Sequence, residues 1–289
     1  MSTAVLLKAI ELGMILSVLS LGIYISFRIL DIPDLTVDGS FSTGAATCAM
    51  FTLVSHPYLG LLMAFVAGCA CGLVTAFLQT KLKIQPLLAG IITMTGLYSI
   101  NLRILVGQPN VSLNSLDGST DTMFGLVDHP LFILIPFVSV IAAILYWFFK
   151  TNLGLELRAT GNNEAMVRSS SIDVDKMKFI GFGIANGLVA LSGALFSQYN
   201  NFADVTAGTG MLVIGLAGII VGEAILRHKR GVGFGIVAAI IGSCVYRLMY
   251  TIALQFGVKS GDMNLVSALL VALTISLPYL QKKRRESNA

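Results

Sequence analysis

The chain has 289 residues, of which 55% are hydrophobic and only 12% charged, with a mean hydropathy of +0.83. About a quarter of the residues of an ordinary soluble domain are charged, so this composition excludes a soluble enzyme and describes an integral membrane protein. The net charge of +4 is explained below by membrane topology and calls for no nucleic-acid partner.

About 20 apolar residues, rising ~1.5 Å each, cover a hydrocarbon core of roughly 30 Å. That rule predicts spans near 10–28, 40–55, 58–79, 85–106, 131–149, 178–199, 207–226, 232–256 and 264–280. The opening MSTAVLLKAIELGMILSVL lacks a basic region followed by a small-residue cleavage site, so it is expected to be a retained first span. The second segment is short and begins TVDGSFSTGAAT, whose Gly and Ser content predicts a broken or re-entrant helix packed inside protein. The expected fold is an all-α polytopic bundle of about nine transmembrane helices, with eight to ten possible, forming one membrane domain over residues 1–289.

Ionisable and amide groups inside such a bundle are candidate functional residues. Asp38 opens the broken segment with no basic neighbour in sequence beyond Arg28, and is placed to order unwound backbone or to line a path. Asn101, Asn186 and Gln198 lie within apolar helices, where an interhelical hydrogen bond and a solute contact are both open. Arg103 and Arg247 fall near the ends of their spans, where snorkelling competes with a place on the pathway. Glu223 stands four residues before Arg227, the favourable order for an i,i+4 ion pair. Gly68 with Gly72, Gly183 with Gly187, Gly218 with Gly222, and Gly231 with Gly235 are spaced for close helix approach. The segment VGQPNVSLNSLDGSTDTMFGLVDHP is a long polar connection, either a contact surface for an extracytoplasmic protein or an ordered cap on the bundle.

Catalytic chemistry is not expected. Cys48, Cys69, Cys71 and Cys244 lie in apolar runs without His or acidic residues at ligand spacing, which argues against a disulfide framework or a metal site. His56, His129 and His228 are dispersed, no GxxxxGK[ST] phosphate loop occurs, and no cofactor is called for.

The stretch TNLGLELRATGNNEAMVRSSSIDVDKMK, residues 151–178, is the one long polar interval in the second half of the chain. Asn162 and Asn163 are potential caps and Glu164 suits a first turn, predicting a short helix over 162–170 with Glu164 and Arg168 paired at i,i+4. Within it, LELRATGNNEAMVRSSSID, followed by an apolar segment ending SGALFSQ, resembles the cytoplasmic coupling loop of ABC-importer membrane subunits of the branched-chain amino acid and sugar permease superfamily. DLTVDGSF at Asp34–Phe41 and the GLA..I.GE pattern at Gly215–Glu223 resemble its amino-acid-type branch. One departure is Ser171, where the family carries glycine before the isoleucine.

The resemblance implies that the loop helix docks on a cytoplasmic ABC ATPase, with Arg158, Gly161, Asn163, Glu164 and Arg168 in the coupling region. It also implies an extracytoplasmic solute-binding protein, a second permease copy and an amino acid as solute, and it gives Glu223 a coupling or gating role beside its ion-pair reading. If the loop is cytoplasmic, 15 of the 19 basic residues share its side, leaving Lys8, Arg103, Arg247 and Lys259 opposite. The protein is then expected in the cell membrane with its N-terminus outside and its C-terminus in the cytoplasm. The rival expectation is an ion-coupled secondary transporter or channel without an ATPase, using Asp38 or Glu223 as a proton or sodium site.

Overall fold

Proline and short polar residues set the ends of the apolar runs. The computed structural model describes residues 3–113, 122–125, 129–226, 231–255 and 265. Helix α1 (Thr3–Ile23) continues as a π-helical turn, Tyr24–Ile29, and is followed by α2 (Thr36–Leu53), α3 (Pro57–Thr80) and α4 (Pro86–Ile104). Then come strand β1 (Asn110–Ser112), α5 (Leu131–Phe148), α6 (Asn152–Asn162), α7 (Glu164–Ser169) and α8 (Val174–Asn200). Strand β2 (Phe202–Asp204), α9 (Met211–Ile225) and α10 (Val232–Gln255) complete the order. Pro57 and Pro86 occupy first-turn positions, where the missing N–H removes no helical bond. Asn201, in the left-handed region at φ 58°, stops α8.

Among the described residues six helices are long and apolar enough to cross a bilayer: α1 with its π-helical continuation, α3, α4, α5, α8 and α10. The expected ninth span, 264–280, lies outside the described residues. Helix α8 is the centre of the bundle, with 78% of its spanning window buried against 17% for the peripheral α5. It packs on α1, α2 and α3. Glycines make those contacts close: a Cβ at Gly68 or Gly72 of α3 would overlap the carbonyls of Asn186 or Phe182 on α8. Gly218 and Gly222 likewise meet Ser243 and Ala238 of α10, whereas Gly183 has room around it.

The second segment departs from expectation, because α2 is one continuous and largely buried helix. Its small residues serve contact instead of breakage: Gly44 faces the Ala190 backbone, and Thr43 Oγ1 donates to the Gly39 carbonyl within the helix at 2.9 Å. The discontinuity lies further along, where turns over 205–210 end at Gly210 with φ +83° and α9 runs for only 15 residues. The start of α9 meets Asp38, close to Ser40, whose hydroxyl bonds Asn186 at the midpoint of α8. Helix α9 therefore begins near the middle of the bundle. In the polar loop the expected short helix is present as α7, and a further helix, α6, precedes it.

The described part of the long polar connection is an ordered cap. Strand β1 pairs antiparallel with β2, Val111 opposite Ala203, and the Met123 N–H donates to Gln198 Oε1 at 3.2 Å.

Candidate functional site

Thr151 caps α6 through the Gly154 N–H at 3.3 Å, and α6 buries Leu157 and Thr160. Gly161 lies against the Ile29 carbonyl of the π-helical turn, so a side chain there would push the loop off α1. Asn163 caps α7 as expected, its Oδ1 accepting from Met166 N at 3.1 Å, and Val167 is the buried anchor of that short helix. Asp173 caps α8 through the Lys176 N–H, and that bond holds its carboxyl below the usual carboxylate range.

Ion pairs connect these caps. Glu164 meets Lys178 at 2.5 Å and Arg168 at 4.0 Å, while Asp175 meets Arg168 at 3.7 Å and Lys81 at 3.8 Å. Exposed pairs contribute ~0–1 kcal/mol each, so this network orients α7 on α8 and α3 more than it stabilises the fold. Leu153, Leu155 and Met166 point away from it, Met166 being 58% exposed, an apolar edge on an otherwise polar loop.

Ser171 takes φ 62° at the end of α7, a left-handed conformation unfavourable to any side chain. Ser171→Gly is therefore expected to stabilise the protein by about 0.5–1 kcal/mol, read as a higher thermal midpoint in detergent. An unchanged or lower midpoint would refute strain at this turn.

Beyond the loop, the π-helical turn carries Arg28 into a two-point ion pair with Glu223 on α9: Nε donates to Oε1 at 2.9 Å, and a second guanidinium nitrogen contacts Oε2. Glu223 thus has a long-range partner that its sequence neighbourhood does not display; the expected partner, Arg227, lies outside the described residues. Arg158 does not project outward with Met166. It lines a cavity of about 460 Å³ with Tyr24, Arg28, Asn162 and Glu223.

Near mid-bundle, Asp38 bridges two segments. Its Oδ2 accepts from the Gly210 N–H and its Oδ1 from the Leu212 N–H, both at 2.9 Å. A carboxylate at a helix N-terminus satisfies orphan donors and complements the helix dipole. Asn186 forms an interhelical clamp, donating to Asp34 Oδ2 and accepting from Ser40, both at 2.7 Å. Asn101 is buried and approaches the Gly39 carbonyl at 3.5 Å, while Gln198 donates to the Pro57 carbonyl at 3.0 Å. The structure therefore brings Asp38, Asn101 and Asn186 together around α2, and places Gln198 under the cap.

Sequence reasoning passed over Asp34 and Arg28. Asp34 is buried, its second oxygen accepting from the Thr36 N–H at 2.9 Å. Its presence in DLTVDGSF was the available signal. Glu11 is a third omission: it is buried in α1 and accepts from Tyr199 OH at 2.6 Å. Arg247 is not a freely snorkelling side chain, since it stacks over the Tyr250 ring at 4.8 Å.

The family model described as branched-chain amino acid transport system / permease component matches residues 5–277. The chain belongs to this permease family. A tyrosine transport system permease protein of Clostridioides difficile is 38% identical over 96% of this permease and 92% of its own length. A probable branched-chain amino acid transport permease protein of Methanocaldococcus jannaschii is 28% identical, covering 94% and 89%. The ribose import permease protein RbsC of Escherichia coli is 26% identical, covering 91% of this permease and 79% of that protein. No solved structure gives a significant match. The relatives of this chain thus include both amino acid and sugar permeases, and the family assignment makes it the membrane component of a transport system.

Proposed function

We propose that this permease carries a small solute, an amino acid, across the cell membrane, with ATP hydrolysed by a separate ABC ATPase that docks on α7 and the exposed edge of α6. The observation carrying this reading is an unbroken run of contacts from loop to bundle centre. Gly161 abuts the π-helical turn, Arg28 on that turn grips Glu223 of α9, and the far end of α9 is held by Asp38 of α2. A push on the loop would reach mid-bundle through rigid helices and paired charges.

In this reading the loop side is cytoplasmic, the N-terminus outside and the C-terminus inside. The grouping of Arg28, Lys81, Lys150, Arg168 and Lys178 at that end of the bundle supports it. A second permease copy completes the pathway, and a solute-binding protein delivers the amino acid to the capped face. The tyrosine permease likeness supports an amino acid over a sugar.

Met166→Glu places a charge on the exposed apolar edge of α7 without touching the buried Val167. With a partner ATPase co-expressed, it is expected to reduce co-purification about tenfold or more, as for loss of an interface anchor, while the variant elutes and melts like the parent. Undiminished association and undiminished stimulated ATP hydrolysis would refute docking here. Uptake driven by an ion gradient in vesicles containing this chain alone would overturn the ATPase reading itself.

A further inference from the structure

A cavity of about 700 Å³ opens between α5 and α10 at the loop end of the bundle. Its walls are Ala142, Tyr146 and Phe149 on one side and Ile236 and Val237 on the other. Ala142 and Val237 are at least partly exposed and Tyr146 is exposed, so the groove opens toward the surroundings of the bundle. In a membrane protein those surroundings are acyl chains.

Among the described lining residues, charge is confined to one end of the groove. Lys150 and Arg158 both line it, Lys150 with its Nζ 4.4 Å over the Tyr146 ring. Among the described residues neither has a carboxylate within ion-pair distance, whereas Arg28 nearby is matched by Glu223. Two uncompensated cations therefore stand where α5 ends and the polar loop begins. The only tryptophan of the chain, Trp147, lies beside them and is 70% exposed, and such a ring prefers the headgroup level of a bilayer. The charged end of the groove is thus at headgroup depth and the apolar end at acyl-chain depth.

We propose that this groove holds one anionic phospholipid of the loop-side leaflet, an acyl chain between α5 and α10 and the phosphate between Lys150 and Arg158. The match is of shape as well as charge: a zwitterionic lipid fills the slot equally but leaves no net attraction for the two cations. Because Arg158 also lines the cavity holding the Arg28–Glu223 pair, the bound headgroup touches the same end of α6 that presses on the π-helical turn. The site follows from the membrane fold alone and does not depend on the solute or on the ATPase.

The test is lipid retention by the full-length permease, extracted from vesicles of equal phosphatidylglycerol and phosphatidylcholine and weighed by native mass spectrometry. The parent is expected to retain one phosphatidylglycerol in clear preference to phosphatidylcholine. A basic group near anionic headgroups is worth roughly a fivefold preference, so Lys150→Gln with Arg158→Gln is expected to lower it about 30-fold. Lys150→Arg with Arg158→Lys should preserve it. Val237→Phe, which fills the groove and leaves both charges, should abolish retention of the bound lipid; it also decides the matter if the double glutamine variant fails to fold. Equal retention of the two lipids by the parent would overturn the proposal. So would a preference untouched by Val237→Phe, which would mark diffuse attraction to the protein surface with no groove site.

Discussion

Leucine at position 186 is expected to destabilise the permease by about 3 kcal/mol, the cost of leaving a buried carboxylate without one of its donors. Asn186 gives its amide N–H to Asp34 Oδ2 and takes the Ser40 hydroxyl on its own oxygen, so one side chain ties α8 to both the entry and the first turns of α2. Leucine fits the volume but supplies no hydrogen bond, in a contact where Gly68 and Gly72 already touch the Asn186 and Phe182 carbonyls. For a chain of this length the loss corresponds to a fall of about 6–10 °C in the thermal midpoint, measurable on the purified protein in detergent. Removing both partners, with Asp34→Leu added, should recover part of the loss, because a pair of apolar groups leaves no orphaned charge. A single-variant cost below about 1 kcal/mol, or no recovery in the double variant, would show that Asp34 finds another partner and that the clamp is not structural.

That clamp illustrates what the sequence displays and what it hides. Polar groups within apolar runs are visible at once, and Asn186, Asn101, Gln198 and Asp38 all prove to be buried or interior. Their partners are not visible, because 152 residues separate Asn186 from Asp34 and 195 separate Arg28 from Glu223. Nothing in local periodicity joins positions so far apart. Local chemistry points to the nearest basic residue in sequence, Arg227, and gives no sign of the guanidinium that the π-helical turn delivers to Glu223.

The cap of α7 was legible because Asn163 and the Met166 N–H are close in sequence and obey a local rule. Helix α6 was not, since TNLGLELRATGN mixes glycine with polar residues and is made helical by burying Leu157 and by fitting Gly161 against α1. The glycines of α2 were misread for the same reason. Read along the chain they weaken a helix; read across it, they are what lets α2 lie on α8. Composition and hydropathy establish a helical membrane fold because bilayer thickness dictates them, whereas the site arises from contacts between helices that the bilayer does not dictate.

Asp38→Ala is the sharper test of mechanism, and its expected result is loss of uptake out of proportion to loss of stability. The carboxylate bonds the Gly210 and Leu212 N–H groups at the start of α9, and alanine leaves both donors inside the bundle with nothing to meet. An N-cap is worth ~0.5–2 kcal/mol and each buried orphan donor ~1–3 kcal/mol, so a destabilisation of about 2–4 kcal/mol is expected, read as a lower thermal midpoint. Asparagine keeps only one acceptor and turns an N–H toward the other donor, so Asp38→Asn should fall between parent and alanine. The effect on transport has a separate origin. Helix α9 carries Glu223 at its other end, and the Arg28–Glu223 pair is the only described ion pair linking the π-helical turn to that helix. On the proposed reading, an α9 loose at its start can no longer pass a displacement at Glu223 on to α2. The proposed association with an ATPase through α7 should remain, since the hydrogen bonds of Asp38 go to the start of α9 and none goes to α7. Uptake retained at parental level with the cap removed would mean that α9 transmits nothing, whereas loss of ATPase association with uptake would mean that the variant is simply unfolded. Association kept and uptake lost is the outcome that identifies α9, held at one end by Asp38 and at the other by Arg28, as the moving part between loop and pathway.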